Sequence, residues 1–246
     1  MGTQQETVIR GENEHASLTL VHLGSASASS AEVPLESIIV DYGLSTPGRR
    51  RRSNIEFELR VILAEGEFDP RTLDEIGAHR SDHSSLFVIG ATSRASAEIS
   101  ADAVITLPQP GELHACVCAV RGMLDGLFMH GFIGYDYIDM RSVFSEGRRF
   151  VLGRGCAGRE TTEAAERALG SLEEQGVRLG EVRNTQIGIR AGEAVTLCNV
   201  DEVVQHIARA IHPSSGLMFY ACNDVALGER VGVSIFVEVE ARVEGE

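Results

Sequence analysis

The sequence has few cysteines and no long apolar run. Its 5 cysteines, at positions 116, 118, 156, 198 and 222, are odd in number and fit neither a disulfide framework nor a zinc-binding spacing. No apolar stretch approaches the ~20 residues that a membrane-spanning helix needs. The start, M-G-T-Q-Q-E, lacks the positive charge and the apolar core of a signal peptide. We therefore expect a cytoplasmic protein that is not inserted in a membrane.

Positive charge is also scarce. The chain has 22 lysines and arginines against 36 aspartates and glutamates, which gives a formal net charge of -14 and a pI near 5.0. Binding to nucleic acid requires a basic face that neutralises phosphates. The basic run at residues 49–52 follows Pro47 and Gly48 and is typical of a solvated loop. Nucleic acid is therefore not an expected partner.

The chain otherwise has the composition of an ordinary soluble globular protein, with 43% hydrophobic and 24% charged residues. In the first half, short apolar runs predict strands at residues 18–23, 37–41, 56–64, 85–90 and 103–107. Residues 112–130 carry apolar side chains at helical spacing. The second half predicts a β-α-β-α-β-β module with its elements at residues 149–153, 161–174, 183–197, 200–212, 217–222 and 231–239.

Residues 131–141, G-F-I-G-Y-D-Y-I-D-M-R, form what we call the acidic segment. Asp136 and Asp139 stand three residues apart, where a predicted loop enters a short helix. Carboxylates at such a place accept hydrogen bonds from the unpaired amides of the first helical turn. Two carboxylates at one end of a helix can equally project toward a bound partner. The pattern alone leaves a cap and a functional site both open.

Residues 136–169, D-Y-I-D-M-R-S-V-F-S-E-G-R-R-F-V-L-G-R-G-C-A-G-R-E-T-T-E-A-A-E-R-A-L, resemble the FtsZ family, the tubulin-like bacterial cell-division GTPases. The order of acidic loop, helix, strand, Gly-rich turn and Ala-rich helix is similar, and the second half resembles the FtsZ C-terminal domain nearly end to end. The resemblance implies an α/β fold in three parts. These are a truncated FtsZ/tubulin-like sheet domain (1–111), a central helix with the acidic loop (112–139) and the C-terminal domain (140–246).

In the FtsZ family the nucleotide lies between two subunits, and acidic residues after the central helix of one subunit position the attacking water. The resemblance assigns those in-trans positions to Asp136 and Asp139, while Gly134 stands where the family usually has Asn. It places a subunit interface at Gly131, Gly134, Asp136, Asp139 and Arg141. The expected partners are FtsZ-like subunits, either copies of this chain or a true FtsZ.

The nucleotide-binding half looks degenerate. Where the family carries clustered glycines and threonines that hold the phosphates, residues 65–69 read E-G-E-F-D. A phosphate cradle needs free backbone amides and close approach, whereas these carboxylates repel a triphosphate. The loop at residues 24–30 offers one glycine where the family has a glycine-rich loop. We therefore expect no bound cofactor.

Two further motifs point to other chemistry and lack the required context. Residues 153–158, G-R-G-C-A-G, match a dinucleotide fingerprint, but Glu173 and Glu174, at the distance of its acidic residue, fall in a predicted helix instead of at a strand end. We interpret these glycines as a strand-to-helix turn. His79 and His83 lie four residues apart without a third ligand in view, so no metal site is expected.

Three functions remain open from the sequence. The first is a GTPase-deficient FtsZ-like protein that assembles into filaments or docks on FtsZ polymers and modulates them. The second is a divergent, self-polymerising GTP hydrolase that binds GTP and Mg²⁺ through rebuilt loops around Gly24 and Gly66. The third is a scaffold with the FtsZ fold that binds an unrelated partner. Only the second of these is an enzyme.

Overall fold

A computed structural model of the chain describes residues 5–12, 16–24, 28–42, 44, 57–64, 83–90, 101–107, 113–145, 148–158 and 160–240. Its contacts divide the chain into two compact units. The first unit is Met1–Arg121 with Phe144–Gly147, and the second is Gly122–Val143 with Arg148–Glu246. Both combine helices with a sheet, as predicted. The three-part division expected from the sequence stays a prediction.

Within its described residues, the first unit contains five strands. Its elements are β1 (Gln5–Glu12), β2 (Ala16–Gly24), α1 (Ala28–Asp41), β3 (Phe57–Ala64), β4 (Ser84–Ile89) and β5 (Ala103–Thr106). The strands lie in the order β1-β2-β3-β4-β5; β2 to β5 run parallel, and β1 pairs antiparallel with β2. The sequence analysis found four of these strands and missed β1.

The core of the first unit is formed by its parallel strands. Every residue of β4 is buried, as is the second half of β3, because a parallel sheet is covered on both faces. The continuous apolar runs in these strands follow from that double burial. One cluster of buried side chains comprises Val21, Leu23, Ile62, Ala64, Leu86, Val88, Ala101 and Val104.

The prediction of a strand at residues 37–41 is wrong, because these residues end α1. Leu35, Ile38, Ile39 and Tyr42 are buried, whereas Val40 is 71% exposed. This spacing is that of one face of a helix. The apolar run was too short to distinguish the two periods.

The helix that the pattern at residues 112–130 predicts is α2 (Leu113–Phe128). Its residues up to Arg121 belong to the first unit and those from Gly122 to the second. Small side chains fill many of its buried positions, including Cys116, Ala119 and Gly122. None of the helices in the described ranges is long and apolar enough to cross a lipid bilayer.

The second unit confirms the predicted β-α-β-α-β-β order. After β6 (Gly131–Ile133) and α3 (Tyr137–Val143), its elements are β7 (Arg148–Ala157), α4 (Thr161–Glu174), β8 (Asn184–Ala191), α5 (Leu197–Ala210), β9 (Gly216–Asn223) and β10 (Val231–Val239). The sheet order is β7-β10-β8-β9-β6. Only β8 and β9, which α5 connects, pair in parallel among these strands; the other pairs are antiparallel.

Helices α4 and α5 bury their apolar stripes on one face of this sheet. The strands contribute alternate residues, as expected where one face meets a helix layer. The buried cluster includes Ala164, Ala168 and Leu172 of α4, Val200, Val203 and Ile207 of α5, and Ile187, Ile189, Val233 and Ile235 of the strands.

Gly153 and Gly155 do not form the predicted strand-to-helix turn, because β7 continues to Ala157, whereas Gly158 lies in the bend that follows this strand. A Cβ atom at Gly155 would lie 1.9 Å from the carbonyl oxygen of Ala164, and one at Gly153 would lie 2.3 Å from that of Ala168. The glycines therefore let α4 approach the strand closely.

The start of α5 also differs from the predicted bounds, which begin this helix at residue 200. Thr196 is the N-cap: its Oγ1 accepts from the Asn199 amide at 3.4 Å, and Asn199 Oδ1 accepts from the Thr196 amide at 3.0 Å. This reciprocal capping box begins the helix at Leu197.

Candidate functional site

The acidic segment begins as β6, which pairs with β9. Gly131 lies opposite Cys222, and a Cβ atom there would stand 2.3 Å from the carbonyl oxygen of Ala221. Only glycine fits such a close backbone approach. Ile133 pairs with Ala221, so Phe132 is the extra residue of a bulge. The start of the segment is thereby joined to the sheet.

The side chain of Tyr135 then ties the loop to the interior of the second unit. Its hydroxyl donates a hydrogen bond to the carbonyl oxygen of Met123 and accepts one from Nε2 of Gln186 at 2.8 Å. Burial, followed by the negative charge of Asp125, raises the pKa of Tyr135 well above its ordinary value. The hydroxyl therefore remains a donor across the physiological pH range.

The ring of Tyr135 occupies a groove made by a glycine of α2. It meets the ring of Tyr220 edge to face, with ring centroids 5.4 Å apart and an interplanar angle of 69°. A Cβ atom at Gly126 would lie 2.5 Å from the ring of Tyr135. Gly134 also passes close to this helix, since its Cβ atom would stand 3.3 Å from the carbonyl oxygen of Gly126.

Asp136 and Asp139 form a reciprocal cap at the start of α3. The amide of Asp139 donates to Oδ1 of Asp136 at 2.8 Å, and the amide of Asp136 donates to Oδ2 of Asp139 at 3.3 Å. The capping role expected for carboxylates here is therefore present. Each cap bond uses one oxygen of the accepting carboxylate, Oδ1 of Asp136 or Oδ2 of Asp139, and both residues are exposed. A cap and a functional site thus remain compatible.

The acidic segment presents apolar side chains beside its carboxylates. Phe132 is 41% exposed and Ile138 is 74% exposed, while Arg141 is also exposed. Met140 is fully buried and anchors α3. The outward side of the segment therefore combines negative, apolar and positive groups, and Tyr135 and Met140 hold it from within.

Known FtsZ proteins are similar to this chain in part of its sequence and in its fold. No protein-family model matches the chain. The cell division protein FtsZ of Magnetospirillum gryphiswaldense is 30% identical over 118 residues, which are 47% of this chain and 21% of that protein. The empty FtsZ dimer of M. jannaschii superposes with a TM-score of 0.61 at 15% identity, covering 86% of this chain and 68% of that chain. The chain has the FtsZ/tubulin-like fold.

A second solved structure of this fold is similar. The GTPγS-form protofilament of TubZ from Bacillus thuringiensis serovar israelensis gives a TM-score of 0.51 at 11% identity and covers 88% of this chain. The FtsZ/tubulin-like α/β fold predicted from residues 136–169 is therefore confirmed. The sequence match spans about a fifth of the Magnetospirillum protein.

Within the FtsZ-like fold, the second unit contains a charge network that the sequence analysis missed. Asp125 of α2 is 1% exposed and lies 3.3 Å from Nε of Arg190. Nη2 of Arg190 lies 2.5 Å from Asp224. Burial, followed by the negative charge of Asp125, raises the pKa of the adjacent Cys222 to about 12. The available signal was Asp125 itself, a charged residue amid the apolar residues of α2.

Most of the residues predicted for the degenerate nucleotide-binding loops and for the histidine pair lie outside the described residues. These are residues 65–69, residues 25–27 and His79, while Gly24 ends β2. Their predicted roles stay predictions. In the described part of the chain, no three histidine, cysteine or acidic side chains group as metal ligands.

Proposed function

We propose that this protein is an FtsZ-like assembly factor whose acidic segment docks on the nucleotide face of a neighbouring FtsZ-like subunit. The subunit is a true FtsZ, and the protein itself does not hydrolyse GTP. The observation that carries the proposal is the reciprocal cap, which holds two exposed carboxylates, Asp136 and Asp139, at the start of α3.

Two physical properties of the acidic segment favour docking. A capped helix start gives both carboxylates a defined position, so little conformational entropy is lost on binding. The exposed Phe132 and Ile138 supply apolar surface that a partner can bury. A contact that combines a fixed charge pair with such apolar flanks is suited to a specific protein surface.

The expected lack of GTP hydrolysis rests on residues 65–69. In the sequence, Glu65 and Glu67 flank Gly66 and Asp69 follows, and the resemblance assigns this stretch to the loop with which FtsZ holds phosphates. Their negative charges disfavour a bound triphosphate. A head-to-tail contact extends a filament only when each subunit can bind a neighbour through both of its faces. A subunit that docks through one face and cannot bind a neighbour through the other therefore ends the growth of the filament.

The proposal is tested by sedimentation and GTP turnover of purified Magnetospirillum gryphiswaldense FtsZ with this protein added. We expect the wild-type protein to lower the amount of pelleted FtsZ and to change its GTP turnover. The double variant Asp136→Asn/Asp139→Asn keeps cap acceptors, because Asn also caps helices, but removes both charges. It should lose the effect.

A matched control is Glu173→Gln/Glu174→Gln, which removes two negative charges at the end of α4 and should keep the full effect. If the wild-type protein leaves FtsZ unchanged, the proposal fails. Calorimetric titration with GTP and Mg²⁺ separates the alternatives, since micromolar binding would favour the divergent GTPase. Self-association that ignores both GTP and FtsZ would favour the scaffold.

A further inference from the structure

Tyr135 immediately precedes Asp136, so the conformation of its backbone sets where the first carboxylate lies. The preceding Gly134 has no side chain to restrict the loop. The amide of Tyr135 makes a long bond, 3.4 Å, to the carbonyl oxygen of Gly126. The stronger restraint at this point is the buried phenol, through its bonds to Met123 and Gln186.

The stability of the fold alone does not explain a glutamine at position 186. It is fully buried, and in the described part of the chain its Oε1 has no hydrogen-bond partner. A buried acceptor without a donor carries a desolvation penalty that an apolar side chain of similar size would avoid. Its Nε2 makes the 2.8 Å bond to Tyr135 and a longer one, 3.4 Å, to Met123. The bond to Tyr135 is thus the feature that explains an amide at this position.

The contacts that hold the phenol all belong to the second unit. Met123 and Gly126 are in α2, Gln186 is in β8, and Tyr220 is in β9. They join three separate elements to the residue before Asp136. The hydroxyl, rather than the ring alone, links α2 and β8 to the loop.

We infer that Tyr135 and Gln186 are positioning residues for the acidic segment. Their hydrogen bond keeps Asp136 and Asp139 in the single arrangement seen at the start of α3. The inference about loop geometry stands on these contacts, and its consequence for docking rests on the proposed function. Without the hydroxyl, the loop samples other conformations. Docking then requires a larger loss of conformational entropy, which weakens binding.

The test uses the full chain with Tyr135→Phe, which keeps the ring and removes the hydroxyl, and Gln186→Met, which removes the amide. Hydrogen exchange of the peptide that covers residues 131–141 reports the loop directly. We expect exchange at Asp136 and Asp139 to rise about tenfold or more in both variants, because each variant loses at least one hydrogen bond of the phenol. The effect on FtsZ sedimentation should fall toward that of Asp136→Asn/Asp139→Asn.

The matched control is Thr185→Val, which removes a fully buried hydroxyl that lies 3.3 Å from Ser215 Oγ on the opposite face of β8. Thr185→Val should lower the thermal midpoint of unfolding about as much as Tyr135→Phe does. It should leave hydrogen exchange in residues 131–141 unchanged. Equal exchange in Tyr135→Phe and Thr185→Val would overturn the inference, as would a rise spread evenly over the second unit. If exchange rises locally while wild-type protein leaves FtsZ unaffected, the positioning role stands and the proposed function fails.

Discussion

The carboxylate of Asp125 is buried inside the second unit, with Arg190 as its neighbouring cation at 3.3 Å. Arg190 also pairs with Asp224, which is 13% exposed in its side chain. Removing the guanidinium leaves two carboxylates together in a poorly solvated place. We expect Arg190→Met to lower the free energy of unfolding by about 3 kcal/mol, because the negative charges of Asp125 and Asp224 then lie together without the cation that pairs with both. Urea denaturation measures this change.

Arg178→Met is the matched control at the residue scale. Arg178 pairs with Glu181 at 3.1 Å, but their side chains are 75% and 68% exposed. Because solvent screens such a pair, we expect a change of about 0.5 kcal/mol or less. Equal losses in the two variants would show that Asp125 does not depend on Arg190.

At the scale of elements, the contact of α4 with β7 depends on a strand glycine. The Cβ atom of Gly155→Ala would meet backbone atoms of Ala164 and Ala168 on α4, which cannot move aside as a flexible side chain does. We expect Gly155→Ala to cost about 1–3 kcal/mol of unfolding free energy through overpacking. Chemical denaturation monitored by circular dichroism measures it.

Gly170→Ala makes the same chemical change within α4, where a Cβ atom would meet nothing within 4 Å. There we expect a gain of about 0.5–1 kcal/mol, since alanine favours a helix over glycine. Opposite signs for the two substitutions are therefore the expected result. A gain in both would contradict the close approach of α4 and β7.

At the scale of the whole molecule, stability should fall in alkaline solution. The pKa of Cys222 is about 12 in the folded chain against an ordinary value of 9.0. Above pH 9.0 the unfolded thiol releases its proton while the folded thiol keeps it, so the folded state binds more protons. The resulting loss reaches about 1.4 kcal/mol per pH unit. The raised pKa of Tyr135 acts in the same direction at higher pH.

Urea midpoints measured on either side of pH 9.0 test this dependence. Cys222→Ala removes the titrating thiol and should flatten the decline, at the cost of a small cavity. Cys198→Ala, at an exposed cysteine of α5, should leave the decline unchanged. A wild-type stability that stays level above pH 9.0 would contradict the buried state of Cys222.

The sequence predicts the second unit well because its signals are local. Helix α4 carries alanines and leucines at one-face spacing, and β10 alternates apolar with other residues except at Phe236. The carboxylates of Asp136 and Asp139 stand at the distance that a reciprocal cap requires. The long ordered match at residues 136–169 identified the FtsZ-like fold from the same local information.

The tertiary structure decided the features that depend on distant residues. Residues 37–41 end a helix because Ile38 and Ile39 join a buried face with Leu35, which a five-residue window cannot reveal. Position 155 of β7 requires glycine because α4 passes close to it.

The positioning of the acidic segment is also a tertiary feature. The bond between Tyr135 and Gln186 joins residues 51 positions apart. The sequence by itself determined the second unit's helices and strands and the pair of carboxylates, because spacing along the chain encodes them. Only packing between elements decided how Asp136 and Asp139 are held, because a hydrogen bond across the interior leaves no periodic signal along the chain.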